Sequence, residues 1–206
     1  MRSFILILIT FFNLNAFAQN LPFEGYILYR YTYLDLEGKD ITAQKLLEND
    51  SVQHYYINAY NYVAYDENQN LKQLYNASSN RYFFSRANDI YVLDAGETSQ
   101  PKPMFTLSKE NKEILGFNCT AIVEGEGPKA SIRYVSEDIW VDPKPFKRHV
   151  MGGWGPFLEA SKGKLPLELI FHNKDHTMIM TAVLVQSIQI PEEAYDIDKL
   201  IERSKK

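Results

Sequence analysis

The clearest pattern in the chain is an alternation of apolar and polar positions over residues 23–33. One side of this run carries Ile27, Tyr29, Tyr31 and Tyr33. Successive side chains of a strand point to opposite faces of a sheet. A period of two therefore predicts a long strand with one strongly apolar face.

Similar runs, rich in Tyr, Phe, Val and Ile, follow along the whole chain, and the longest of them lie in the second half. In the first half they are 52–57, 60–65, 71–75, 81–85 and 90–93, and in the second half 112–123, 131–135, 138–141, 165–171 and 177–190. Polar and glycine-containing segments separate them, as turns separate the strands of an antiparallel sheet. We expect about nine to eleven strands in one large sheet.

The last of these runs, 177–190, is apolar on both of its alternating faces. One face carries Met178, Met180, Ala182, Leu184, Ile188 and Ile190, and the other carries Ile179, Val183 and Val185. A sheet with one face in water alternates more cleanly than this. Either other parts of the chain cover both faces, or one face lines an apolar cavity.

Three segments carry weaker signals. Residues 41–48 fit a short helix or a strand, and residues 144–163 are irregular around Gly152-Gly153-Trp154-Gly155. Asp196 precedes a run, 197–204, that is typical of a closing helix with basic residues in its last turns. No repeat or linker divides the chain. We therefore predict one α+β domain, a large curved antiparallel sheet with few helices including a C-terminal one.

The first 18 residues have the layout of a secretory signal peptide. Arg2 supplies a positive charge, an apolar run follows over residues 4–12, and Ala16-Phe17-Ala18 offers small residues at a cleavage site. No cysteine follows, so a lipoprotein anchor is not indicated. We expect residues 19–206 to form a single exported domain, periplasmic or extracellular. No other run approaches the roughly 20 apolar residues of a membrane-spanning helix.

Composition excludes some classes of function. The formal net charge is −4 and only Lys144, Lys147 and Arg148 cluster, so no basic stripe is present to bind nucleic acid. Cys119 is the only cysteine. It cannot form an internal disulfide, which fits a bacterial periplasmic protein better than an animal secreted one.

Few residues of the chain point to reaction chemistry. No Gly-x-Ser-x-Gly or His-Glu-x-x-His motif occurs. His172, Asp175 and His176 are residue types that bind zinc or copper, but their spacing gathers side chains on a helix rather than across a turn. We expect no enzyme activity, no cofactor and no metal site, with a metal-dependent enzyme built on these three residues as a third hypothesis.

Four segments, in order, resemble secreted Bacteroidota domains of unknown function that include the GLPGLI-type proteins. They are 113–123, with Ile114-Leu115-Gly116-Phe117 and Cys119, then 138–141, 163–168 and 188–197. Such domains are similar in pattern to the LolA/LolB-like lipoprotein carriers. The resemblance implies a curved sheet that wraps around helices as an unclosed barrel, whose concave side holds acyl chains.

These observations favour a periplasmic, non-enzymatic binding protein for a lipid or other apolar ligand. Soft methionine and aromatic side chains suit an adaptable apolar pocket. The residues expected to line it are Tyr29, Tyr31, Trp154, Met178 and Met180. The alternative is an interaction module of the cell envelope that docks a partner protein through exposed strand edges or through the segments 94–103 and 144–163.

Overall fold

The structure is a computed structural model that describes residues 21–86, 89–99, 101–196 and 198–200. The described residues form eleven strands, which run in chain order as β1 (Gly25–Leu34), β2 (Val52–Ile57), β3 (Asn61–Tyr65), β4 (Leu71–Asn76), β5 (Arg81–Arg86), β6 (Asp89–Asp94), β7 (Phe105–Ile114), β8 (Phe117–Glu124), β9 (Ser131–Trp140), β10 (Lys164–His172) and β11 (Thr177–Ser187). Two short helices are α1 (Thr42–Lys45) and α2 (Trp154–Ala160). Single 3-10 turns span Gly127–Lys129, Lys144–Phe146, Met151–Gly153 and Glu192–Tyr195.

All the strands belong to one 11-stranded antiparallel sheet. Their order is β6-β5-β4-β3-β2-β1-β11-β10-β9-β8-β7, so two meanders meet where β1 pairs with β11. Among the described strands, β6 is the edge of the sheet on one side and β7 on the other. The predicted fold class, a large open antiparallel sheet with few helices, is confirmed.

The sheet curves around one segment, residues 144–163, which we call the inner segment. Close to β6, the Val150 N–H donates to the Ala95 carbonyl at 2.8 Å. On β7, the ring of Phe105 lies 5.7 Å from that of Phe157 in α2. Both ends of the sheet therefore reach the same short segment. We call the face that packs on it the inner face.

The inner segment is predicted as irregular, and the structure shows it as turns followed by α2. Phe146, Phe157 and Leu158 are fully buried in it. Burying an apolar side chain of this size stabilises a fold by about 1.5–3 kcal/mol. The segment is thus part of the core, which leaves little of it free to dock a partner.

A second, smaller core lies on the outer face. Val63, Leu74 and Phe83 are side by side on β3, β4 and β5, and Ile190 and Tyr195 pack over them. The C-terminal part of the chain therefore covers the outer face at this end of the sheet.

Two strand predictions in the second half are wrong. Residues 112–123 are not one strand, because Leu115 and Gly116 have φ values of 53° and 82° and turn the chain between β7 and β8. Two left-handed residues in sequence form the tight turn of a β-hairpin. Conversely, the predicted strands 131–135 and 138–141 are one strand, β9, which pairs irregularly with β10.

A bulge in β11 changes which of its residues face inward. Leu28 pairs with Leu184 and Tyr29 with Ala182, so Val183 is an extra residue in the ladder. A bulge of this kind shifts the alternation by one position. The face predicted to carry Met178, Met180, Ala182 and Leu184 therefore ends at Ala182, and Leu184 is 38% exposed.

The remaining predictions fall partly outside the described residues. Residues 41–48 contain α1, and the described residues 198–200 are helical after Asp196, whose Oδ1 accepts from the Lys199 N–H at 3.2 Å. The predicted signal peptide, 1–18, and the rest of the predicted closing helix lie outside the description, so export stays a prediction. No helix within the described ranges is long and apolar enough to cross a membrane.

Candidate functional site

A cavity of about 380 Å³ lies between the inner face of the sheet and the start of α2. All five residues expected to line an apolar pocket are in its walls, namely Tyr29, Tyr31, Trp154, Met178 and Met180. The fold therefore brings together side chains from β1, β11 and the inner segment. Ligand binding by these residues stays a prediction.

The strand register explains how the central residues meet. Tyr31 on β1 lies opposite Met180 on β11, and Met180 lies opposite Leu169 on β10. Directly paired residues share one face of a sheet, so these side chains form a continuous row across three strands. Tyr29 is two positions from Tyr31 and points to the same face.

The cavity has two walls of different polarity. The apolar wall comes from β10 and β11 and consists of Leu169, Phe171, Met178 and Met180. The polar wall comes from β2, β4 and β5 and consists of Gln53, Gln73 and Tyr82. Tyr29 and Tyr31 of β1 lie between the two walls, and Tyr55 of β2 and Tyr62 of β3 lie on strands of the polar side.

Trp154 and the residues before it cover the cavity. Gly152 and Gly153 have φ values of 59° and 69°, a conformation that glycine adopts without strain, and they turn the chain sharply into α2. The indole of Trp154 then lies 5.8 Å from the ring of Tyr62 and 5.5 Å from that of Phe157. The two glycines thus place Trp154 at the cavity.

His149 is a part of the cover that sequence reasoning missed. It is 2% exposed, its ring stacks on Tyr75 at 4.4 Å, and its Nε2 is hydrogen-bonded to the Tyr62 hydroxyl at 2.6 Å. Burial lowers the pKa of His149 to about 3, because a charged imidazolium loses its hydration there. His149 is therefore neutral at physiological pH.

The tyrosines of the cavity are also neutral. Burial raises the pKa of Tyr29, Tyr31, Tyr55 and Tyr62, and it raises that of Tyr82 to about 12. The Tyr29 hydroxyl donates to the Pro166 carbonyl at 2.6 Å, and the Tyr31 hydroxyl donates to Gln53 Oε1 at 3.0 Å. These bonds fix the rings in place and leave their hydroxyls protonated.

Arg133 on β9 is the second residue that sequence reasoning missed. Its Nη1 donates to Glu124 Oε2 at 2.6 Å. Its guanidinium carbon lies 5.2, 4.9 and 5.8 Å from the ring centres of Phe105, Phe157 and Phe171. A guanidinium packed on aromatic rings is stabilised by cation–π attraction, and the carboxylate balances its charge.

Four lining residues carry a buried polar atom with no hydrogen-bond partner in the described part of the chain. The atoms are Tyr55 Oη, Arg133 Nε, His149 Nδ1 and Trp154 Nε1. A buried polar group without a partner costs about 1–3 kcal/mol. Such groups are uncommon in folded proteins, and their concentration around one cavity marks it as a functional candidate.

The structure does not assemble His172, Asp175 and His176 into a metal site. His172 Nδ1 is hydrogen-bonded to the Thr177 hydroxyl at 2.9 Å, whereas His176 Nδ1 contacts Asp175 Oδ1 at 2.8 Å. Lys45 also pairs with Asp175. Across the described ranges, no three His, Cys, Asp or Glu side chains are placed to hold a metal ion.

A wider hollow of about 740 Å³ lies on the outer face, between β3–β5 and the segment that follows β11. Its walls include Asp66, Asn70 and Lys72. Asp66 is occupied by hydrogen bonds within its own turn, to Asn68 and Asn70. The hollow ends at Leu200, beside residues outside the description, and we assign no site to it.

No known family profile matches the sequence, and no curated protein matches it either. Solved structures of similar architecture exist. PNGF-II, in two crystal forms, is 16% identical with TM-scores of 0.47 and 0.44. These alignments cover 83% and 86% of this chain but 30% and 33% of PNGF-II, so the chain spans about a third of that protein's length.

Two further similar structures come from the LolA group. One is a LolA superfamily protein from Nitrosomonas europaea, with a TM-score of 0.36, and the other is a putative outer membrane lipoprotein-sorting protein domain from Vibrio parahaemolyticus, with a TM-score of 0.34. Each is 6% identical over 85% of this chain and 91% of the other. Similarity at this level says nothing of ligand or activity. Membership of the GLPGLI-type group stays a prediction.

Proposed function

We propose that this protein is a non-enzymatic binding protein that holds one small apolar ligand, such as a single acyl chain, in the inner-face cavity. The observation that carries the proposal is the cavity of about 380 Å³ with its apolar wall of Leu169, Phe171, Met178 and Met180. Ligand pockets typically measure about 300–1,000 Å³. This cavity is near the lower end, which suits one chain better than a lipid with several.

The apolar wall supplies the driving force for binding. Each methylene that leaves water for an apolar pocket contributes about 0.8 kcal/mol. A chain of about eight methylenes would gain about 6 kcal/mol before the loss of translational and rotational freedom is subtracted. Met178 and Met180 are flexible and polarisable, so they can adapt to chains of different shape.

A neutral fluorescent probe, 1-N-phenylnaphthylamine, tests the proposal. We expect the wild-type protein to bind it with one-to-one stoichiometry. Met178→Trp places a larger ring in the cavity wall and should weaken binding at least tenfold, because filled volume excludes the probe. Leu184→Trp is the matched control, since Leu184 lies on the same strand and is 38% exposed on the outer face.

Two results would contradict the proposal. One is a wild-type protein that leaves the probe fluorescence unchanged at millimolar concentration. The other is an equal loss of binding in both tryptophan variants, which would mean that the probe binds a surface and not the cavity. Native mass spectrometry of protein purified from a periplasm is an independent test, because a ligand held in the cavity should co-purify and be identified by its mass.

An envelope interaction module is the second candidate, and the exposed edge of the sheet favours it. Tyr91, Val92 and Leu93 on the edge strand β6 are 42%, 37% and 38% exposed. Apolar side chains on an unpaired edge invite the addition of a partner strand. Val92→Lys should abolish the binding of a partner at this edge. The same substitution should leave probe binding in the cavity unaltered.

A further inference from the structure

We infer that the ligand is an uncharged amphiphile, whose aliphatic part lies on the apolar wall and whose hydroxyl, amide or ester group lies on the polar wall. This inference rests on the proposed function and narrows its ligand class. It follows from how the sheet distributes side chains around the cavity. The two walls come from different strands, with β1 between them.

The polar wall offers hydrogen-bonding groups that the protein itself leaves free. The Gln73 amide and the Tyr82 hydroxyl have no hydrogen-bond partner in the described ranges, although both residues line the cavity. The Gln53 amide nitrogen is also free, since only its oxygen accepts, from Tyr31. An amide and a hydroxyl donate and accept equally well. Such a wall fits a ligand group that does both.

The cavity offers no countercharge to an ionic ligand. Arg133 is the one lining residue with a formal charge among those that the structure describes, and Glu124 already pairs with it. Three phenylalanine rings surround its guanidinium. His149, on the cover, is buried and neutral. A carboxylate or an ammonium ion would therefore lose its hydration without gaining a partner.

Competition against 1-N-phenylnaphthylamine tests the inference with three probes that share one chain. The probes are decan-1-ol, decanoate and decylammonium, compared at a pH where both ions are fully charged. We expect decan-1-ol to bind at least about tenfold more tightly than either ion. The apparent affinity for decanoate should rise as the pH falls toward the pKa of decanoic acid, because the neutral acid binds. The affinity for decan-1-ol should stay constant over the same pH range.

Two variants test whether the polar group of the ligand binds the polar wall. Gln73→Leu and Tyr82→Phe each remove a hydrogen-bonding group, so decan-1-ol affinity should fall about 3- to 10-fold. Gln186→Leu is the matched control, because Gln186 is an exposed strand residue outside the cavity. It should bind decan-1-ol as the wild type does.

The outcomes separate this inference from the proposed function. If the probe does not bind, the proposed function fails. If the probe binds but decanoate competes as well as decan-1-ol, only the inference fails. The inference would also fail if decanoate binds the wild type and this binding is lost in Arg133→Gln. The polar group of the ligand would then be assigned to Arg133. Unchanged decan-1-ol affinity in both wall variants would also overturn it.

Discussion

His149 shows how one residue can couple the cavity to the stability of the fold. Its ring is stacked between tyrosines and its Nε2 is bonded to Tyr62, so it links the cover to the inner face. The pKa of this imidazole is about 3 in the folded chain, against about 6.5 for an unfolded histidine. The unfolded state therefore binds a proton between these values and the folded state does not.

We predict that acid destabilises the protein through this residue. A depressed folded-state pKa gives stability that is present above about pH 6.5 and is lost as the pH falls toward 3. Between about pH 7.5 and 4.5 the loss should be about 2–3 kcal/mol. Urea denaturation of the wild type and of His149→Gln checks this, because the variant should lack that part of the pH dependence.

His54→Gln is the control for this prediction, since His54 is a half-buried histidine of the first meander. The His54→Gln curve shows how far a histidine-to-glutamine change at a position other than 149 alters the pH dependence. Parallel curves for the wild type and His149→Gln would show that His149 does not titrate on unfolding in the way its burial implies.

At the scale of single residues, the sequence predicts the apolar lining but not its polar members. Alternation identifies Tyr29, Tyr31, Met178 and Met180, because regular strands carry them. His149 lies in a turn, where apolar and polar residues follow no regular period. Its burial comes from tertiary contacts alone, so the sequence pattern does not predict it. Arg133 had an available signal, since it shares a strand face with the buried Val135.

At the scale of elements, the errors concern turns, bulges and β7, whose residues 105–111 belong to no predicted run. The runs 52–57 and 165–171 are strands in the structure, as expected for short apolar runs bounded by turn residues. The sequence pattern does not predict the turn at Leu115-Gly116, because a leucine with a φ of 53° is unusual and apolar residues continue on both sides of the turn. The Val183 bulge has no local signal, since the register of β1 creates it.

The start of α2 yields a prediction from two glycines with opposite surroundings. A Cβ on Gly155 would lie 2.6 Å from the Phe146 carbonyl oxygen and 2.8 Å from that of His149. A Cβ on Gly152 would meet nothing within 4 Å, although its φ is 59°. We expect Gly155→Ala to cost about 2–3 kcal/mol, from a backbone clash, and Gly152→Ala only about 1–2 kcal/mol, from strain.

Urea denaturation of both alanine variants measures these costs, and probe binding adds a second readout. Gly155→Ala should also weaken 1-N-phenylnaphthylamine binding, because the clash moves the residues that cover the cavity. Equal costs for the two variants would mean that backbone strain, and not the close approach of Gly155 to the preceding turn, sets the sensitivity of this segment.

At the scale of the whole molecule, the sheet separates two cores. The inner core surrounds α2 and borders the cavity, while the outer core joins β3–β5 to the C-terminal segment. Sites on opposite faces share no contacting side chains, so substitutions in them should act independently. Stability and ligand binding can then be changed one at a time.

We predict such a separation for Ile190 and Met178. Ile190 is 8% exposed in the outer core, and Ile190→Ala should lower the free energy of unfolding by about 2–3 kcal/mol through the cavity that it leaves. Its affinity for 1-N-phenylnaphthylamine should stay within about twofold of the wild-type value, because the inner-face cavity lies on the other side of the sheet. Met178→Trp should weaken probe binding and leave the free energy of unfolding nearly unchanged, since Met178 is half-buried at the cavity and tolerates a larger ring.

The double variant tests whether the two effects are independent. Its loss of stability should match that of Ile190→Ala, and its loss of probe affinity should match that of Met178→Trp. Ile190→Ala could instead lose probe binding without denaturant, at a pH where the variant remains folded. That result would show that the curvature of the sheet, and with it the cavity, depends on the outer core.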